Sequence, residues 1–381
     1  MNCRLFLGAC VLSLAGCGGL RVDHSLDPGP GDWPMFARDG QRSGATTPQV
    51  RPPLHREWEQ DVSAGIGNGS PVIVGSVVFV ATLRGELYGF DVATGTGLGS
   101  SRFGEAIQGS PVIDSTTAYV ALSNTRESLA AYDFVSGKVR WKRNYGDLEA
   151  SPLLYNHRLY VGNTSGVFVC VDPGTGEQIW KFELPANRRM SGVRSSAAAE
   201  SSRIVFGGED GFLYALQADS GSLCWKYDTG SPVTATPLIT AGMAFAGNRR
   251  GIVTAIGCAT GKLIWRFDAG APVFANPVRA GDLTLVATIA GRVIGVRTRD
   301  GSPAWSVDLG GPVSAGGAVA GDVAYFGTLR KEIYALDPLH GTILWKGDAG
   351  GRVHTSPAVA NGRVFIATDN RVVIAFREAP R

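Results

Sequence analysis

"GCATGKLIW", residues 257–265, joins a turn to a strand ending in tryptophan, and close variants return along the chain: DPGTGEQIW at 172–180, QADSGSLCW at 217–225, RTRDGSPAW at 297–305 and DPLHGTILW at 337–345. The glycine supplies the positive φ of a tight turn, and a nearby Asp or Thr can bond the turn backbone. The tryptophan that follows offers a large flat face to pack between neighbouring units. Trp141, Trp180, Trp225, Trp265, Trp305 and Trp345 are read as architecture rather than as ligand platforms, because their spacing follows the repeat.

A second marker, a small polar residue before proline, sets the period. It occurs at Ser70–Pro71, Ser110–Pro111, Ser151–Pro152, Thr236–Pro237, Asn276–Pro277 and Ser356–Pro357, with degenerate copies at Ser196–Ala197 and Gly316–Gly317. The steps are 40 or 41 residues except for one of 45, which makes eight units. Within a unit, runs such as PVIVG, SVVFVAT, GELYGFD and GKLIW are short, rich in Val, Ile, Phe and Tyr, and bounded by turn residues. Four such strands per unit of about 40 residues predict an all-β, eight-bladed β-propeller of four-stranded antiparallel blades.

Two blades lack the tryptophan. The first has Gly99 in its place, which predicts a weaker outer strand, and the last stops at VVIAFREAPR before a fourth strand can form. Upstream, LHREWEQDV (54–62) is a strand without a partner in sequence. It is predicted to supply the missing outer strand of blade eight, with Trp58 in the tryptophan position, so that the ring is closed by an N-terminal strand.

The 381 residues are 44% hydrophobic and 18% charged, with a net charge of +3 that gives no sign of nucleic-acid binding. MNCRLFLGACVLSLAGC has an apolar run too short for a membrane span. Its LAGC resembles the lipobox of bacterial lipoproteins, which implies removal of residues 1–16 and lipidation of Cys17. An ordinary secretory signal is the alternative. Residues 17–53 are Gly/Pro-rich and read as a tether that begins flexible, with DWPMFARDG (32–40) packing on the rim of a propeller spanning 54–379. The expected state is a monomer in the cell envelope, lipid-anchored at the outer membrane and facing the periplasm. Cys170 reads as a small core residue, as does Cys224, which aligns with Ile179, Ile264 and Leu344; a Cys224–Cys258 bridge stays open.

From about residue 30 onward, the DxxTGxxxW phrases (Asp91 to Gly95, Asp172 to Trp180) and the DWPMFARDG lead-in resemble the pyrroloquinoline quinone (PQQ)-like propeller repeat proteins. With the lipobox, the chain looks most like the BamB-type lipoproteins. The resemblance implies a noncatalytic scaffold whose partner is an envelope protein, the outer-membrane barrel-assembly machinery. Quinoprotein dehydrogenases share the fold and imply an aspartate base, oxygen ligands for calcium and, in the alcohol enzymes, adjacent cysteines. No Cys–Cys pair exists, and Asp91, Asp133, Asp172 and Asp337 belong to turns. His24, His55, His157, His340 and His354 lack zinc-site spacing. No catalytic residue, metal site or cofactor is therefore assigned. A PQQ-dependent oxidoreductase and a polysaccharide-binding or sensor propeller are the alternative functions.

One column does not repeat. Three residues before the marker proline stand Asn68, Gln108, Glu149, Arg194, Thr234, Phe274, Ser314 and His354, mostly preceded by Val, Ile or Leu. This column is expected to ring one mouth of the central channel and to bind. The turns between second and third strands should open on the same face and carry Arg84, Arg126, Arg249, Arg250, Arg330 and Lys331, with Glu209 and Asp210 in blade four. The long step, residues 183–196, adds Arg188 and Arg189, which predicts a basic, asymmetric face.

Overall fold

The structure is a computed structural model that describes residues 19–185 and 192–380. Among them are eight sheets and no helix. Seven sheets have four strands each; the eighth, blade 7, gains a fifth where Ala45–Thr46 pairs in parallel with its innermost strand, Ala318–Ala320. Blade 1 shows the common plan, an antiparallel order of Val72–Val74, Val77–Ala81, Glu86–Asp91 and Gly97–Arg102. Short innermost strands converge and touch their neighbours, including those of blades 8 and 1. The second and third strands carry the cores between blades: all of Val77–Ala81 is buried.

The ring closes through the N-terminal strand. Leu54–Asp61 pairs antiparallel with Val372–Glu378, and Trp58 lies opposite Ala375. In the other tryptophan-bearing blades the opposing residue is equally small, as with Ala131, Cys170, Ala215, Ala255 and Gly295. A large side chain there would occupy the space the indole needs.

The repeated turn phrase has a second physical reason beyond the one its sequence suggested. In six seams the indole Nε1 donates to a carbonyl in the next blade's turn, as from Trp180 to Ala218 at 3.0 Å and from Trp225 to Cys258 at 2.8 Å. The same indole lies over the turn glycine of that blade. Gly95, Gly176, Gly221, Gly261, Gly301 and Gly341 have φ of 67–75°. A Cβ on any of them would stand 2.4–2.7 Å from the tryptophan of the preceding blade. Glycine is thus required by backbone conformation and by contact at once.

Blade 1 departs from the expectation of a weak outer strand. Gly97–Arg102 is as long as its counterparts, and the vacant tryptophan position is filled from the N-terminus. Leu20 is fully buried, 2.4 Å from where a Cβ on Gly89 would be, within the core cluster of Phe79, Tyr132 and Phe134. Its N–H donates to Ser101 Oγ at 3.0 Å and its carbonyl accepts from Tyr132 Oη at 2.5 Å. The segment read as a tether with a flexible start is therefore packed from Leu20 onward, because the first blade lacks an indole of its own.

The cysteine readings also divide. Cys170 and Cys258 are buried, and burial pushes their thiols up to about 11 and about 12, so both remain protonated and unreactive. Cys224 is exposed, as are its counterparts Ile179, Ile264 and Leu344, which corrects the core reading for that column. The outermost strand has only one buried side, and this column lies on the other. All three cysteines among the described residues are free, so Cys224 and Cys258 are not bridged.

Candidate functional site

The marker dipeptide builds the channel wall. Ser70 N–H donates to Ser110 Oγ, Ser110 N–H to Ser151 Oγ, Ser151 N–H to Ser196 Oγ and Ser196 N–H to Thr236 Oγ1, at 2.7–3.2 Å. In blades 2 to 5 the small polar side chain thus takes the backbone donor of the blade before it, which is a reason for that position to be small and polar. The girdle breaks at Gly316, where Asn276 fills the space a Cβ would need and Ser356 Oγ reaches it at 3.4 Å.

One side of the channel is closed by the lead-in. Between Trp33 and Thr46 the chain circles the axis as a strap, accepting backbone hydrogen bonds from the free edges of the innermost strands. Ile73 donates to Trp33, Ile113 to Pro34, Ala199 to Gly40, Ile239 to Gln41, Arg279 to Ser43 and Val319 to Gly44, at 2.7–3.0 Å. Arg42 is fully buried at the centre of the strap and donates to the carbonyls of Phe36 (2.6 Å), Ala197 (2.7 Å) and Pro152 (3.2 Å). Burial pushes its guanidinium down to about 9, and Asp39 opposes that shift, so the group stays charged at neutral pH.

The other side opens into a cup of about 540 Å³, with Phe36 of the strap among its lining residues. The varied column meets there: Asn68, Glu149, Arg194 and Thr234 line one stretch of wall, and Phe274, Ser314 and His354 the rest. Gln108 does not line it; its backbone carbonyl takes the Gly69 N–H at 3.1 Å. The residues preceding the column, from Ile107 and Leu148 to Val353, are at most 1% exposed and wedge the column in place. A larger cavity of about 640 Å³ beside Arg279, Arg297 and Asp300 contains none of these residues.

The cup's charges are arranged in opposing pairs. Arg194 bonds Glu149 from the neighbouring blade, and its Nε lies 3.3 Å from Glu209 Oε1, which also accepts from Arg249 at 3.3 Å. Glu209 is almost fully buried, with these two arginines as its ion-pair partners. The network runs Glu149, Arg194, Glu209, Arg249 across three blades and is neutral in sum. At the centre of the face expected to be basic and asymmetric, two of the predicted cations, Arg194 and Arg249, thus pair with acids. His354 Nε2 donates to the Ile66 carbonyl at 2.8 Å, which fixes its ring.

The second-to-third-strand turns share this face, since their backbone carbonyls accept from the wedge residues, as Thr82 does from Ile107 and Asn163 from Val193. Arg84, Arg126, Arg250, Arg330 and Lys331 are exposed on the rim, with no acidic partner within ion-pair distance among the described residues. Asp210, predicted to break the pattern of basic turns, is buried and accepts from Tyr214 Oη at 2.5 Å. Cys17, Arg188 and Arg189 lie outside the described residues. The sequence reading missed the strap's role and the pairing of Glu209 with the column. The one available signal was the acidic turn of blade four among basic ones.

Comparison with known proteins bears on both function classes. A family model described as outer membrane protein assembly factor BamB matches residues 55–198, 165–306 and 290–379. The outer membrane protein assembly factor BamB of Xanthomonas campestris pv. campestris is 26% identical over 203 residues, 50% of this chain and 48% of that protein. The dehydrogenase subunit of the quinone alcohol dehydrogenase of Gluconobacter oxydans is 31% identical over 218 residues, 52% of this chain and 25% of that protein. The sequence match thus spans about half the length of the assembly factor and a quarter of the dehydrogenase. In structure, BamB from Moraxella catarrhalis aligns at TM-score 0.71 with 17% identity, covering 85% of this chain and 99% of that one. Quinohemoprotein alcohol dehydrogenase from Comamonas testosteroni aligns at 0.77 with 15% identity, covering 92% and 81%. At those identities the structural likeness establishes the propeller fold alone.

Proposed function

Because the chain belongs to the family of the outer membrane protein assembly factor BamB, we propose that it is a noncatalytic cell-envelope lipoprotein, anchored through Cys17, that acts as an interaction scaffold in outer-membrane protein assembly. The observation that carries this reading is the cup. Seven blades each place a different side chain at one equivalent position around a cavity whose far side is filled by the strap. A one-sided recess with varied walls and unpaired basic residues on its rim suits the docking of a segment of an acidic partner protein.

Quinone chemistry is the second reading, favoured by the Gluconobacter oxydans relative. The cup residues do not fit a calcium-held quinone. Its carboxylates, Glu149 and Glu209, are bonded to Arg194 and Arg249, so a cation would have to break those pairs first. Among the described residues no group of three His, Cys, Asp or Glu side chains is placed to hold a metal.

Affinity purification from gently solubilised envelopes tests the proposal, comparing the wild type with a Glu149→Ala, Arg194→Ala, His354→Ala variant. Recovery of barrel-assembly proteins, reduced in the variant, is expected. Recovery of glycans without protein, or dye reduction by the wild type on adding PQQ and calcium, would overturn the scaffold in favour of a polysaccharide binder or an oxidoreductase.

A further inference from the structure

The outer strands of the blades are not electrically equivalent. That of blade 2, Lys138–Arg143, carries four bases and no acid, and that of blade 1 carries Arg102. The outer strands of blades 3, 4, 5 and 7 each hold one base and one acid, that of blade 6 holds only Asp308, and that of blade 8 holds three acids with one arginine. Positive charge on the propeller's side wall is therefore concentrated at one seam. Asp133 pairs with Arg140 and Glu127 with Lys142, while Lys138, Arg143 and Arg102 have no acidic partner within ion-pair distance among the described residues. Val135 and Val139, both exposed, stand among them.

Among the described residues, that seam is also where the chain is first locked down. Leu20 occupies the missing tryptophan position between blades 1 and 2, Val22 N–H donates to the Phe134 carbonyl at 2.9 Å, and exposed Arg21 lies over Gly137, beside Lys138. Cys17 precedes Leu20 by three residues, a reach of at most about 10 Å. An acyl group on Cys17 would hold this seam close to the bilayer.

We propose that the side wall of blades 1 and 2, centred on Arg21, Arg102, Lys138 and Arg143, is a membrane-apposed surface that binds anionic phospholipid headgroups. It is a docking face with two parts: the acyl chains bring it to the surface, and the bases, attracted to an anionic leaflet, fix its orientation. The cup then opens sideways relative to the membrane normal, because the propeller axis lies along the bilayer plane when a side wall faces it.

This proposal rests on the lipidation reading, and one experiment separates their failures. Acylated full-length mature protein with Cys224→Ser is placed on phosphatidylglycerol-containing vesicles and labelled with a fluorophore at Ser136→Cys or at its counterpart in blade 5, Thr260→Cys. A headgroup-attached quencher should darken the label at Ser136 and leave that at Thr260 at its free value. Lys138→Glu with Arg143→Glu should abolish the difference while the protein stays bound. Equal quenching at both positions, on protein whose intact mass shows acyl chains, overturns the oriented face and leaves lipidation standing. An intact mass without acyl chains overturns both.

Discussion

The indole Nε1 of Trp58 donates to the carbonyl of Val92 at 3.0 Å, joining the last blade to the first through residues 34 apart in sequence. The ring therefore closes with the same contact that joins its interior blades, although here the tryptophan comes from upstream of the repeats. Trp58→Ala should cost about 3–5 kcal/mol, the usual range for a buried indole. Trp345→Ala should cost less, since Trp345 is only partly buried and packs edge-on against Phe376 at 6.3 Å. Denaturant midpoints of the two variants check the order, and equal losses would show that closure adds nothing to the seam.

Leu20 substitutes for an indole with a much smaller side chain, so its seam has little volume to spare. Leu20→Ala should lose about 2–5 kcal/mol, whereas Leu20→Met, which conserves volume, should lose less than about 1.5 kcal/mol. Limited proteolysis should release the N-terminal segment in the first variant and spare it in the second.

The blades and the closing strand were legible because their residues recur at fixed steps, and because 54–62 was a strand with tryptophan and no partner. The varied column was legible for the opposite reason, as the place where recurrence fails. Leu20 has no counterpart in any repeat, so nothing in its sequence marked it as a filler. The strap binds the innermost strands mainly through backbone carbonyls, which leave no side-chain pattern. Arg194 pairs with Glu149 across a seam and with Glu209 in the turn of its own blade, and comparing blades one position at a time is blind to both. Cys224 misled because apolar residues also occupy the exposed side of the outer strands.

Acid should weaken ring closure in a defined direction. Burial raises the Glu57 carboxyl, but hydrogen bonds and charge from Arg363 and Arg377 outweigh it and hold the group below its ordinary value of 4.5. With the folded value depressed, the stabilisation is complete above about pH 4.5 and is lost as pH falls through the folded value. Glu57→Gln should therefore destabilise at pH 7 and flatten the acid limb of a stability profile. A profile as steep as the wild type's would remove Glu57 from the account.

The strap sets the depth of the cup, and Arg42 ties it to blades 3 and 4 at once, through the carbonyls of Pro152 and Ala197. Arg42→Ala leaves three buried carbonyls without their charged donor, a loss of roughly 3 kcal/mol, or about two decades in a local opening equilibrium. The backbone bonds from Ile239, Arg279 and Val319 to the strap remain possible in the variant, so the propeller itself should stay folded. Hydrogen exchange separates these levels. Amides of Ala199, Ile239, Arg279 and Val319 should lose about 100-fold of their protection in Arg42→Ala, while those of the second strands, such as Phe245 and Leu285, keep theirs. Uniform loss across both sets would mean that the strap is part of the propeller's global stability; unchanged exchange would mean that backbone pairing alone keeps the channel closed.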